Sequence, residues 1–159
     1  MACPTQSDQP LKILVVDDDG DILELFHCAL TSRGHEVTVV DNGPDAVDIA
    51  GERSFDVGFI DVAMKPMDGL STLSRLKAIS PDTRYIMVTA FYSSELPHDV
   101  RDNILSDATR LGARGCLRKP FELATIVQTA EYFGGQAPGM PLDAGAERQR
   151  HGASARSHP

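Results

Sequence analysis

Basic charge, paired cysteines and long apolar runs are all scarce in this chain, and each shortage removes a class of function. Fifteen Lys and Arg stand against 23 Asp and Glu, for a formal net charge of −8. That balance argues against nucleic acid or an anionic membrane as the main partner. The three cysteines, Cys3, Cys28 and Cys116, lie far apart and form no CxxC pair. They read as reduced thiols, not as a disulfide frame or a zinc site. No segment reaches the length of a membrane span, and residues 1–10 have neither a basic start nor an apolar stretch, so no secretory signal is expected. A cytoplasmic protein is expected. Its 159 residues suffice for one domain with a proper core.

What is present is a strict alternation. Five short apolar runs, Lys12–Val16, Glu36–Val40, Asp56–Ile60, Arg84–Val88 and Arg114–Leu117, are each followed by a segment of helical periodicity. Their nearly continuous apolar character suits strands covered on both faces. Ile22, Leu23, Phe26 and Leu30 recur at helical spacing before Gly34, a C′ residue. A second helix begins at Pro44, and a third follows Asp68-Gly69 and stops at Pro81. A fourth covers about 99–111, and a fifth runs from beyond Pro120 to about Phe133. The pattern predicts an α/β fold, a doubly wound five-stranded parallel sheet with right-handed crossovers and helices on both faces. Residues 1–10 read as a loose leader and 11–133 as the folded domain. Residues 134–159, rich in Gly, Ala, Pro and Arg, bury too little to offset chain entropy and are expected to be disordered. There is no internal repeat and no second domain.

In an open parallel sheet all strands deliver their C-terminal ends to one edge. The first strand ends in Asp17 and Asp18, the third in Asp61, the fourth in Thr89, and the fifth leads to Lys119. Three crowded carboxylates resist ionising unless a cation joins them, and the natural guest is a hard divalent ion such as Mg²⁺ (or Mn²⁺). Taken singly, a strand-end Asp is more often a helix cap, and a Lys before Pro a surface lysine. Jointly, the five are what phosphoryl transfer to a carboxylate requires: a nucleophilic oxygen, a metal site, an ammonium and a hydroxyl facing the phosphoryl oxygens. Asp61, the lone acid on its strand, is the better nucleophile. Asp17 and Asp18 are better placed as metal ligands.

The segments Ile13-Leu14-Val15-Val16-Asp17-Asp18-Asp19, Asp61-Val62-Ala63-Met64-Lys65-Pro66-Met67-Asp68-Gly69, Val88-Thr89-Ala90 and Leu117-Arg118-Lys119-Pro120-Phe121 strongly resemble the receiver domain of two-component response regulators. The resemblance covers about 11–133. It implies the flavodoxin-like strand order 2-1-3-4-5, with Asp61 as phosphoacceptor, and a Mg²⁺ held directly by Asp18, through water by Asp17, and by the Ala63 carbonyl. It implies a switch hydroxyl at Thr89, a phosphoryl-binding Lys119 and a cis Lys119-Pro120 peptide. The donor would be a sensor histidine kinase or a histidine phosphotransfer protein. The recipient of the signal would be a downstream protein, with no output domain on the same chain.

Three features depart from the family. Lys65 precedes the loop proline, which therefore sits one place late. The stretch from Thr89 to Lys119 is about two helical turns longer than usual, the excess lying within 91–102 around Ser93, Ser94, Pro97 and His98. Cys116 occupies the switch position normally held by an aromatic ring, and a strand cysteine is ordinarily buried packing. Two other functions compete. A hydrolase with an aspartyl-phosphate intermediate needs a second acid two residues after the nucleophile, where this chain has Ala63. A degenerate receiver would be a constitutive protein-binding module, a reading that the complete five-residue set opposes. Phe91 and Ala63 flank the site and would tune the lifetime of the phosphorylated state.

Overall fold

The structure, a computed structural model, describes residues 9–90 and 98–135. Ten elements alternate: β1 (Lys12–Val16), α1 (Gly20–Thr31), β2 (Glu36–Val40), α2 (Gly43–Glu52), β3 (Val57–Asp61), α3 (Gly69–Ile79), β4 (Arg84–Thr89), α4 (His98–Arg110), β5 (Gly115–Arg118) and α5 (Leu123–Gly134). All strand pairs are parallel and the order is β2-β1-β3-β4-β5. The predicted sheet is therefore the observed one.

Side-chain alternation along the central strands builds two cores, one on each face of the sheet. Leu14, Val16, Ile60 and Met87 point toward α2, α3 and α4, where Ala46, Ala50, Leu73, Leu76 and Ala108 close over them. Ile13, Val15, Phe59 and Val88 point the other way, onto Leu23, Phe26 and Leu30 of α1 and Ile126 and Ala130 of α5. Apolar burial on this scale is the main stabilising term. Its consequence for function is rigidity, because β1, β3 and β4 hold their C-terminal ends in fixed register, with Val16 beside Ile60 and Asp61 beside Val88.

The boundaries differ from expectation by about one residue. The third strand begins at Val57; Asp56 stands just before it, its carboxylate accepting from Lys12 N–H at 2.9 Å, its own N–H donating to the Lys12 carbonyl at 2.7 Å and its carbonyl accepting from Arg84 N–H at 3.1 Å. Asp61, paired with Val88, is the last residue of β3 and not the first beyond it. The ladder of β4 reaches Thr89, and β5 is shifted to Gly115–Arg118. Gly34 has φ +84°, but it sits two places past the C-cap Ser32, so it terminates the turn and not the helix itself. The second helix takes Asn42 as N-cap, its side chain accepting from Asp45 N–H at 2.8 Å. The last helix extends through Gly134 with Gly135 as C-cap, past the expected end at Phe133.

Cys116 corrects a further expectation. It is exposed, whereas core packing was expected. On the edge strand β5 only Gly115 and Leu117 turn inward, and Cys116 lies at the mouth of a small cleft with Leu105 and Ala108 of α4. Residues 1–8 of the leader, 136–159 of the tail, and 91–97 of the lengthened crossover, with Phe91, lie outside the described residues. Among the described residues no helix is long and apolar enough to cross a membrane.

Candidate functional site

The three consecutive aspartates after β1 sit in three different environments. Asp17 is buried; its N–H donates to the Val40 carbonyl at 3.2 Å, and its Oδ1 accepts from Asp19 N–H at 2.9 Å. Asp19 caps α1, its Oδ1 accepting from Asp21 N–H at 3.0 Å, which satisfies a donor at the helix start. Asp18 is left exposed, with neither task. With Asp19 capping the helix, Asp18 and the second carboxylate oxygen of Asp17 take no part in its backbone bonding.

Asp61 is held from three sides. The next residue, Val62, donates its N–H to the Val88 carbonyl at 2.9 Å, and its carbonyl accepts from Gly69 N–H at 2.9 Å. The first turn of α3 presses against this backbone so closely that a Cβ at Gly69 would collide with the Asp61 carbonyl oxygen. Asp68 caps α3, accepting from Ser71 N–H at 2.7 Å. The strand end and the helix start are thus one rigid unit, and it presents the Asp61 side chain at the edge. Ala63 is exposed in the loop between them. Both Lys65-Pro66 and Lys119-Pro120 are cis peptides; the second was expected and the first was not.

From the opposite side, β4 and β5 bring Thr89 and Lys119. Thr89 is buried at the end of β4, and its carbonyl accepts from Lys119 N–H at 2.8 Å. The Lys119 ammonium reaches back over the acids, 2.9 Å from Asp17 Oδ2 and 3.5 Å from Asp61 Oδ1. One oxygen each from Asp17, Asp18 and Asp61 falls within 4.8 Å of the others. The structure therefore gathers all five residues to one edge of the sheet, with the three carboxylates close together and Lys119 in contact with Asp17 and Asp61.

Electrostatics follow from this crowding. Burial first, and then the charge of Asp17, push the Asp61 carboxyl up from 3.8 to about 6; Lys119 opposes the rise and Asp18 adds to it. Burial pulls Lys119 down, but its contacts with Asp17 and Asp61 outweigh that and hold it above the ordinary lysine value. One lysine does not neutralise three carboxylates. Asp17 Oδ2 is buried and, its ion pair with Lys119 apart, has no hydrogen-bond partner among the described residues. That ammonium is shared with Asp61, so the three carboxylates together keep an excess of negative charge at a partly buried site. An all-oxygen cluster with that excess fits a hard divalent cation.

Sequence reasoning missed the cis Lys65-Pro66 peptide, the closeness of Gly69 to Asp61 and the preference of Lys119 for Asp17. Only the second had a legible signal, a glycine directly after the capping Asp68.

Comparison with known proteins agrees with the geometry. Residues 13–131 match the family model described as the response regulator receiver domain. The response regulator receiver protein CpdR of Brucella abortus is 33% identical over 120 residues, covering 76% of this chain and 93% of that protein. The transcriptional regulatory protein ZraR of Salmonella typhimurium is also 33% identical, over 121 residues, but the chain spans only 26% of its length. Among solved structures, the chemotaxis response regulator CheY4 of Vibrio cholerae superposes with a TM-score of 0.68 at 28% identity, over 79% of this chain and 99% of that one. A response regulator from Burkholderia pseudomallei shares the fold, with a TM-score of 0.68 at 22% identity over 93% of this chain and 75% of that one. Its structure contains a phosphorylated aspartic acid and a calcium ion.

Proposed function

The chain belongs to the response regulator receiver domain family, and from that premise we propose that Asp61 is its phosphoacceptor. The observation that carries this reading is the meeting of Asp61 with Asp17, Asp18 and Lys119 at one sheet edge. An Asp61 carboxylate oxygen forms the new P–O bond as the N–P bond of a donor phosphohistidine breaks, and the imidazole departs with the bonding electrons. Lys119 and the Thr89 hydroxyl receive the phosphoryl oxygens, and donors so placed stabilise the charge of the transition state. Asp17, Asp18, Asp61 and the Ala63 carbonyl would hold Mg²⁺ (or Mn²⁺), which when bound offsets the repulsion between carboxylate and phosphoryl group.

Asp17 and Lys119 also position one another. Their ion pair keeps the ammonium beside the acceptor before the phosphoryl group arrives, so little reorganisation is needed on transfer. Ala63 stands where an aspartyl-phosphate hydrolase carries its general acid, which supports a phosphoacceptor that switches partner affinity and not a turnover enzyme. The donor is a histidine kinase or a histidine phosphotransfer protein in the cytoplasm. Phosphorylation shifts a population of states and thereby the affinity for a downstream protein.

Intact-mass measurement after incubation with acetyl phosphate tests the reading. One added phosphoryl group in the presence of Mg²⁺, and none with chelator, is the expected result. Multiple-turnover release of phosphate from phosphomonoesters would instead make the protein a phosphatase.

A further inference from the structure

We infer that Phe59, Phe26 and Phe121 form an aromatic brace that positions Lys119 over the acids, and the inference rests on the phosphoacceptor reading. Lys119 follows β5, the edge strand, whereas Asp61 ends β3 and Asp17 follows β1. Three strand spacings, about 14 Å, separate β5 from β1, well beyond the reach of a lysine side chain. Yet the ammonium stands 2.9 Å from Asp17 and 3.5 Å from Asp61. The backbone of the β5–α5 loop must therefore lean inward over the sheet edge and be held there.

At its near end the loop is tied to β4, because Lys119 N–H donates to the Thr89 carbonyl at 2.8 Å. Its far end is not fixed as other helix starts are. Glu122, the N-cap of α5, makes no side-chain cap hydrogen bond. Asp19, Asn42 and Asp68, the caps of α1, α2 and α3, each make one.

Between the two ends lies Phe121. Its ring meets Phe26 of α1 edge-on, with centroids 5.3 Å apart and planes at 78°. Phe26 in turn meets Phe59 of β3 at 4.9 Å and 56°, and both of these rings are fully buried. Phe59 stands two residues before Asp61 and so shares its face of the strand. The three rings thus connect the acceptor's own strand, through α1, to the loop that carries the lysine. Aromatic pairs have preferred geometries and few torsions, so they fix a distance more firmly than aliphatic packing does. A misplacement of about 1 Å at a reacting centre can cost on the order of 10²-fold in rate. Loss of the Phe121 ring should therefore slow transfer while leaving every metal ligand in place.

A double-mutant cycle between Phe121 and Lys119 in the full chain tests the brace. Phe121→Leu keeps an apolar side chain and removes the ring. Its rate of acetyl phosphate labelling at saturating Mg²⁺, read by intact mass, should fall about tenfold, with Mg²⁺ affinity by calorimetry undiminished. In a Lys119→Met background the same substitution should change the rate by less than about twofold, because the lysine it positions has gone. Phe121→Met, which fills the space with a flexible chain, supplies a second cycle if circular dichroism shows the first variant poorly folded. A loss that persists in full without Lys119 overturns the brace. So does a wild-type rate in Phe121→Leu, or a parallel loss of Mg²⁺ affinity. Each of these leaves the phosphoacceptor reading intact, whereas a wild type that takes up no phosphoryl group would remove that reading and the brace with it.

Discussion

The ammonium of Lys119 lies closer to Asp17 than to Asp61, 2.9 Å against 3.5 Å. The lysine rests on Asp17 beside Asp61, the proposed acceptor, and compensates Asp61 only in part. Burial and the charge of Asp17, which Lys119 only partly offsets, raise the Asp61 pKa, and separable predictions follow for binding, stability and transfer.

Replacing Lys119 with methionine should reduce acetyl phosphate labelling by about 10²–10³-fold, the usual cost of removing one donor to a developing oxyanion. Mg²⁺ affinity should be maintained or improved, because a competing cation has gone. Rate and affinity are measured separately by intact mass and calorimetry. Parallel losses in both would contradict the assignment of Lys119 to the phosphoryl group.

Metal binding should depend on pH around the Asp61 value of about 6. Binding needs the carboxylate, so protons compete below that value. The Mg²⁺ association constant should fall roughly tenfold between pH 7.5 and pH 5 from this group alone, as read by titration calorimetry. In Asp61→Asn that dependence should flatten.

Stability without metal should show the opposite face of the same shift. Folded Asp61 binds its proton more tightly than the unfolded chain does, so metal-free stability falls as pH rises from about 4 to about 6 and stays level above. Asp61→Asn lacks this loss. At neutral pH with chelator it should be more stable than wild type by about 1–3 kcal/mol in urea unfolding. Saturating Mg²⁺ should narrow the gap by stabilising the wild type.

Gly69→Ala should damage acceptor geometry as well as stability. The added Cβ meets the Asp61 carbonyl oxygen and the Val62 backbone, so one of the two backbones must move. A loss of about 1–3 kcal/mol is expected for such overpacking. Labelling should fall even at temperatures where circular dichroism shows the variant fully folded. By contrast, Cys116→Ser, exposed and remote from the acids, should change the labelling rate by less than about twofold.

The sequence was most legible where one residue type has one physical meaning at a strand end. Continuous apolar runs such as Ile13–Val16 specify the sheet, and the edge rule for parallel strands alone gathers Asp17, Asp18, Asp61, Thr89 and Lys119. The misses share a cause, namely that they depend on tertiary neighbours. Asp56 stands just outside β3 with its carboxylate turned to Lys12 N–H, and Cys116 is exposed because β5 ends the sheet. The pairing of Lys119 with Asp17 depends on side-chain reach across two strands, a distance that periodicity does not encode.

The central claim is that Asp61 carries the phosphoryl group, and borohydride trapping tests it most directly. Reduction of an acyl phosphate converts the modified aspartate to homoserine, which peptide mass spectrometry locates in the sequence. After treatment with acetyl phosphate and Mg²⁺, the homoserine should appear at position 61 and should be absent from Asp61→Asn. A homoserine at position 17 or 18, or an unmodified residue 61 in the wild type, would contradict the account.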